Sequence, residues 1–194
     1  MNKVIIVATC KKYRPWLKSF LESYDSKYPL LVVNNDYGTN QYDARALIEG
    51  IKGNYDEFLV LHDTMLIKDN TLFDIVFEGY SGKSVCMIPE NTMFMFKYCK
   101  KDIEGLSPDV IKDLFSVTSK WEAVLQERKF SDAYKAICNP MMLFPGLDKG
   151  NNNPKEYYMG RDNMVIENKY FKKFKGSWDM LTLEAADDYI PKSD

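Results

Sequence analysis

Apolar residues in the first third of the chain occur in short continuous runs, and each run ends at a cluster of polar residues. The runs cover residues 4–8, 29–33 and 58–61. None of them alternates apolar with polar positions, a pattern typical of strands that are covered on both faces. Between the runs, apolar residues recur at helical spacing over 13–24 and 43–53. This order of elements, with short connections, predicts right-handed crossovers and a parallel sheet flanked by helices.

The middle of the chain combines helix start signals with short strand-like runs. Pro108 directly follows Ser107, and Ser119 stands three residues before Glu122, as in a capping box. Ser131 is the predicted cap of a further helix. The predicted elements are a short helix over 69–74, strands over 84–88 and 92–97, a helix that begins at 107, and helices over 121–128 and 131–137.

Residues 139–154 are predicted to form a loop, because they contain three prolines, two glycines and three consecutive asparagines. The apolar side chains in this segment have two interpretations. Met141, Met142, Phe144 and Leu147 form either a wall against which an acceptor binds or ordinary packing beneath a long loop.

Composition and charge narrow the class of protein. The chain has 194 residues, of which 45% are hydrophobic, and a net charge of -2. A single domain is the expectation at this length, and the acidic balance does not favour nucleic acid or an anionic membrane as a partner. No apolar run approaches the ~20 residues that span a bilayer. The four cysteines include no Cys-x-x-Cys pair, which indicates reduced, mostly buried thiols and a cytoplasmic protein.

The third apolar run ends at His62, Asp63 and Thr64, and this stretch is the predicted centre of the protein. In open α/β sheets, ligands bind outside the carboxyl ends of the strands, so Asp63 occupies a position where a ligand is expected. Mg²⁺ and Mn²⁺ take carboxylate oxygens together with phosphate oxygens. The polar ends of the three strands therefore predict a diphosphate and a divalent cation at this edge of the sheet.

Three segments of the first 100 residues resemble the GT-A class of nucleotide-sugar glycosyltransferases, particularly the family 2 type. Residues 35–38, 44–51 and 55–63 stand where that family has an Asn-x-Gly segment, an Ala-Arg-Asn helix, and a Glu-Tyr-apolar strand followed by Asp-x-Asp. Leu61 replaces the first Asp of Asp-x-Asp, so Asp63 is the remaining acidic residue of that motif.

The resemblance implies an α/β fold with a single GT-A-like domain over residues 1–194, in which a mostly parallel central sheet is flanked by helices. Residues 1–100 would be the nucleotide-sugar-binding half, and residues 101–194 the acceptor-side helices, the loop and a C-terminal lid. The implied activity is transfer of a hexose from UDP-glucose or a related UDP-sugar to the hydroxyl of a glycan, a lipid carrier or another acceptor, with inversion. The implied cofactor is Mn²⁺ or Mg²⁺.

The resemblance also implies which residues contact the donor. Thr9 and Cys10 would lie along the nucleoside, and Asn35 and Asp36 near its base or ribose. Arg45 would lie near the nucleotide, where a guanidinium acts as a forked donor to a diphosphate. The alternative for the Asn and Asp is an Asx turn, and the alternative for the Arg is a solvated charge on the helix surface.

Asp63 and His62 are the implied metal ligands. The alternative for Asp63 is the cap of a turn. The alternative for His62, the only histidine of the chain, is a structural side chain that is hydrogen-bonded within the fold. A site that works without a metal remains open beside both.

Residues 159–165 resemble the Gly-Glu-Asp-x-x-apolar segment of inverting family 2 enzymes, in which the Asp is the catalytic base. Arg161 stands in place of the Glu. The resemblance implies that Asp162 takes the proton of the acceptor hydroxyl. The alternative is a loop or helix-cap aspartate, and Glu122 and Glu167 are the other candidate bases.

Residues 169–178 are the most basic run of the chain, with four lysines interleaved with aromatic residues. One interpretation is a lid in which Lys175 and Trp178 contact the diphosphate. The other is an amphipathic helix that packs Tyr170 and its aromatic neighbours while the lysines face water.

Two other functions are compatible with the same sheet. A nucleotidyltransferase of similar topology normally has a glycine-rich basic loop after the first strand, and residues 10–14 are basic but contain no glycine. The other is a catalytically inert nucleotide-sugar-binding protein, which the replacement at Leu61 is consistent with.

Overall fold

The structure is a computed structural model. It describes residues 1–10, 14–35, 44–88, 95–118, 120–147 and 165–174, and within these ranges only the backbone of residues 15, 120, 121, 124, 165 and 174.

The described part of the chain alternates strands with helices in its first half and is mainly helical after residue 100. The strands are β1 (Lys3–Thr9), β2 (Leu30–Asn34), β3 (Glu57–His62), β4 (Met65–Ile67), β5 (Val85–Cys86), β6 (Phe96–Cys99), β7 (Met141–Met142), β8 (Val165–Glu167) and β9 (Phe171–Phe174). The helices are α1 (Arg14–Ser23), α2 (Ala44–Lys52), α3 (Thr71–Asp74), α4 (Lys100–Ile103), α5 (Pro108–Phe115) and α6 (Lys120–Cys138), and a π-helical turn, Ile75–Gly79, follows α3 directly.

The main sheet has six strands in the order β2-β1-β3-β6-β5-β7. β1 pairs in parallel with both β2 and β3, and its Val7 lies opposite Val32 on one side and Leu61 on the other. β6 is antiparallel to both of its neighbours, whereas β7 is parallel to β5. Five of the six strands therefore run in the same direction, and the predicted parallel arrangement of the first three strands is confirmed.

Helices cover both faces of the main sheet, as the uninterrupted apolar runs predict. Successive residues of a strand point to opposite faces, and in β3 both Val60 and Leu61 are fully buried. The hydrophobic cluster around Val60 includes residues of α2, α5 and α6. The cluster around Leu61 includes residues of α1, α3 and the π-helical turn. The chain is thus an α/β protein with a mostly parallel sheet flanked by helices.

Helix α6 is one continuous helix, although the sequence predicts two helices in this region. Ser131, the predicted cap of the second one, lies inside α6 and is 4% exposed. Phe130 and Tyr134 stack on each other with ring centroids 5.8 Å apart, and both contact Tyr98 of β6 edge to face. Burial of this aromatic pair spans the predicted break and stabilises an uninterrupted helix, since tertiary packing overrides a local capping preference.

The basic run forms a strand over residues 171–174, so the predicted amphipathic helix is wrong there. β9 is the central strand of a second, antiparallel sheet with the order β4-β9-β8. Lys173 lies opposite Met65 on one side and Ile166 on the other. Phe171 and Lys173 are buried, at 0% and 6% exposure, whereas the side chain of Lys172 between them is 33% exposed. This alternation has the period of a strand.

Several elements of the second half are shorter than predicted or displaced. β5 covers two residues of the predicted strand over 84–88, and β6 begins at Phe96, while residues 92–94 lie outside the described ranges. The predicted loop over 139–154 contains β7, and its residues 148–154 also lie outside those ranges. Asn139 has a φ of 42°, a left-handed conformation that commonly ends a helix.

A buried ion pair lies at the amino end of the main sheet. Lys97 of β6 is fully buried, and its ammonium lies 3.2 Å from Glu57 Oε2 at the start of β3. The same ammonium donates to the carbonyl oxygen of Tyr80 over 2.6 Å, and the N–H of Gly82 donates to Glu57 Oε1. Gly82 has a φ of 69°, which glycine adopts without steric cost. The segment after the π-helical turn is thereby bound to the sheet, at the end opposite to the carboxyl ends of β1, β2 and β3.

The free energy of unfolding is expected to depend on pH through the thiol of Cys138. Burial raises the pKa of the Cys138 thiol from 9.0 to about 11. The unfolded chain therefore loses this proton at a lower pH than the folded protein, so the contribution to stability is complete below pH 9 and is lost as the pH rises towards 11. In Cys138→Ser we expect the free energy of unfolding to fall less steeply with pH over this window. The difference between the two slopes corresponds to at most about one proton. Urea unfolding between pH 8 and 11 measures both slopes, and identical slopes would contradict this assignment.

No disulfide joins the four cysteines, all of which lie in the described ranges. Cys86 and Cys99 are buried, as predicted, whereas Cys10 and Cys138 are partly exposed. None of the helices that the structure describes combines the length and the hydrophobicity needed to cross a bilayer.

Candidate functional site

The carboxyl ends of β1, β2 and β3 lie side by side. Thr9, the last residue of β1, lies opposite Asn34 of β2, and its neighbour Ala8 lies opposite His62 of β3. The N–H of Asn35 donates to the carbonyl oxygen of Thr9 over 2.9 Å, which extends the pairing one residue beyond β2. The polar residues that follow the three apolar runs therefore meet at one edge of the sheet.

Asn35 and the end of β1 line the middle of this edge. Thr9 is 6% exposed, and Cys10 beside it is partly buried. Asn35 is partly buried, and its Oδ1 atom is inaccessible to solvent and has no hydrogen-bond donor among the described residues. A buried amide oxygen normally accepts a hydrogen bond, so this acceptor is unsatisfied within the described part of the chain. Asp36 lies outside the described ranges, and its predicted contact with the donor is untested.

Arg45 is held against the same edge by the backbone of β2. Its Nη1 donates to the carbonyl oxygen of Asn34 over 2.9 Å, and its Nε lies 3.8 Å from Glu49 Oε1 one helical turn away. The side chain is 26% exposed. Arg45 is therefore anchored at the strand end and also pairs with Glu49 along the helix surface, and its contact with the donor stays a prediction.

Asp63 and Thr64 connect the two sheets. β3 ends at His62, which is partly buried, and the chain enters the second sheet at Met65. Asp63 and Thr64 are only 5% and 4% exposed. Burial of an ionised carboxylate is costly unless charges or donors compensate it. The role of Asp63 therefore depends on which charged groups and hydrogen-bond donors surround its carboxylate.

Lys173 is the residue of this region that the sequence does not reveal. Its ammonium donates to Thr64 Oγ1 over 2.5 Å, although the two residues are 109 positions apart in the chain. The sequence reasoning places Lys175 at the diphosphate instead. Lys175 and Trp178 both lie outside the described ranges, so their predicted roles are untested. Phe171 and Lys173 share the buried face of β9, whereas Lys172 between them is partly exposed, and the sequence alone does not show which of these residues are buried.

The described side chains at this edge do not form a metal site by themselves. Within the ranges that the structure describes, no group of three or more His, Cys, Asp or Glu side chains is arranged to hold a metal ion. Asp63 and His62 supply one carboxylate and one imidazole, whereas Mg²⁺ and similar hard cations take about six oxygen ligands. The ammonium of Lys173 contacts the hydroxyl of Thr64, the residue that follows Asp63. Metal binding by Asp63 and His62 stays a prediction.

The candidate bases differ in how their carboxylates are engaged. Glu167 lies 3.1 Å from the ammonium of Lys68, and this hydrogen bond, together with the charge of Lys172, holds the pKa of Glu167 below its usual value. The carboxylate of Glu122 accepts hydrogen bonds from the N–H and the hydroxyl of Thr118 at the start of α6. Both have structural roles at helix or strand ends. Asp162 lies outside the described ranges, and its assignment as the base is untested.

The side chains at this edge combine donors for phosphate with an acceptor for hydroxyls. The guanidinium of Arg45 and the ammonium of Lys173 are cationic donors, which form the stronger class of hydrogen bonds with phosphate oxygens. The carboxylate of Asp63 accepts hydrogen bonds only. Groups of these two kinds are the ones that bind phosphates and hydroxyl groups in general.

No protein-family model matches this sequence, and no curated protein shows a significant match to it. Function is therefore inferred from the side chains at this edge and from the motifs that resemble the GT-A class.

Proposed function

We propose that this protein is a GT-A-like glycosyltransferase that transfers a hexose from a UDP-sugar, such as UDP-glucose, to an acceptor hydroxyl. The observation that supports the proposal is the juxtaposition of Thr9, Asn35, Arg45 and Asp63 along the carboxyl ends of three parallel strands. Ligands of open α/β sheets bind at this position. These are also residues that the resemblance assigns to the donor nucleotide.

The described residues have distinct roles in binding the donor. The amide of Asn35 and the hydroxyl of Thr9 are hydrogen-bonding groups suited to the nucleoside. Arg45 binds phosphate oxygens, and its bond to Asn34 already restricts the guanidinium, so little conformational entropy is lost on binding. Asp63 accepts hydrogen bonds from hydroxyl groups of the sugar.

The proposed reaction is a single displacement at the anomeric carbon. The acceptor oxygen attacks this carbon, its proton passes to a carboxylate, and the bond to the phosphate oxygen breaks with both electrons, which leaves UDP. Asp162 is the proposed base, because the motif places it there and the ion pair of Glu167 with Lys68 makes that carboxylate a weaker proton acceptor. Cationic side chains beside the diphosphate stabilise the charge of the leaving group.

A thermal-shift screen tests the donor assignment. The ligands are UDP, UDP-glucose, uridine, UTP and ATP, each with EDTA and with Mn²⁺. A ligand at 100 times its dissociation constant stabilises the protein by about 2.7 kcal/mol. Stabilisation by UDP and UDP-glucose is expected. Stabilisation by nucleoside triphosphates alone would indicate a nucleotidyltransferase instead, and binding of UDP-glucose without any release of hexose would indicate an inert binding protein.

Arg45→Ala is expected to weaken UDP binding about tenfold or more, because a hydrogen bond to a charged group contributes about 1.5–3 kcal/mol. The matched control is Lys52→Ala, which removes a positive charge from the other end of the same helix. The ammonium of Lys52 lies over the ring of Phe115, 5.0 Å from its centroid. Isothermal titration calorimetry of UDP against the three proteins measures the effect. Equal affinity of the wild type and Arg45→Ala would remove Arg45 from the donor site.

A further inference from the structure

We draw no further inference here: the strongest candidate, the exposed apolar side chains of Ile137, Met141 and Met142 where α6 leads into the edge strand β7 of the main sheet, carries no proposal because nothing in the described part of the chain shows what covers them.

Discussion

Lys97→Met is expected to lower the free energy of unfolding by about 3–5 kcal/mol. Lys97 is completely buried, and its ammonium lies 3.2 Å from Glu57, which is 1% exposed. The substitution leaves the carboxylate of Glu57 in the protein interior with its nearest cation removed. Lys3 compensates only in part, since its ammonium lies 3.9 Å from the same carboxylate. Burial lowers the pKa of Lys97 below its usual value, although the neighbouring charge of Glu57 opposes that shift.

Glu57→Gln is expected to lower the free energy of unfolding by a comparable amount, because it leaves the buried ammonium of Lys97 with the carbonyl oxygen of Tyr80 as a neutral acceptor. In the double variant with Lys97→Met, neither charge remains in the interior, so the cost is expected to be clearly less than the sum of the two. Urea unfolding of the four proteins measures this coupling. The control is Lys101→Met, an exposed lysine on α4, which is expected to change stability by less than about 0.5 kcal/mol. Additive costs would show that the two charges act independently.

Gly50→Ala is expected to destabilise the protein by about 1–3 kcal/mol, although alanine is the better helix former. Gly50 lies in α2 against the ring of Phe58 on β3. An added Cβ would stand 2.4 Å from two atoms of this ring and 2.9 Å from a third. Phe58 is 1% exposed and stacks on Tyr98, with ring centroids 5.1 Å apart, so the ring has little room to move. The clash outweighs the helix-propensity gain of about 1 kcal/mol.

The control for this prediction is Gly79→Ala, at the end of the π-helical turn. Gly79 is exposed, and no atom lies within 4 Å of the Cβ that the substitution would add. Its stability is expected to stay within about 0.5 kcal/mol of the wild type. Thermal unfolding of both variants measures the difference. A Gly50→Ala protein as stable as the wild type would mean that α2 does not pack closely against β3 at this position.

The first half of the fold was predictable because its signals are local. β1, β2 and β3 each begin and end within one or two residues of an apolar run, and continuous runs of this kind are typical of covered strands. The helices of the second half were predicted less well. The break at Ser131 was wrong because packing of Phe130 and Tyr134 on Tyr98 decides the continuity of α6, and no local rule includes that contact.

The candidate site was predictable only where chain order determines neighbours. Thr9 ends β1, and Asn35 and Asp63 directly follow β2 and β3, so the three residues meet at one edge once these parallel strands pair. The orientation of Arg45 towards the backbone of Asn34 was not predictable, because helix periodicity does not specify a hydrogen-bond partner. The roles of Asp36, Asp162, Lys175 and Trp178, and the division of the chain near residue 100, remain predictions for the experiments above.

The sequence by itself determined that a covered parallel sheet ends in polar residues, because apolar runs and strand direction are properties of contiguous segments. Only the tertiary structure decided which lysine contacts Thr64. Thr64 and Lys173 are 109 positions apart, and they meet because β9 pairs with β4 in a register that buries Phe171. Residues 171–174 are compatible with a helix as well as a strand, and the choice depends on the strands that lie on either side.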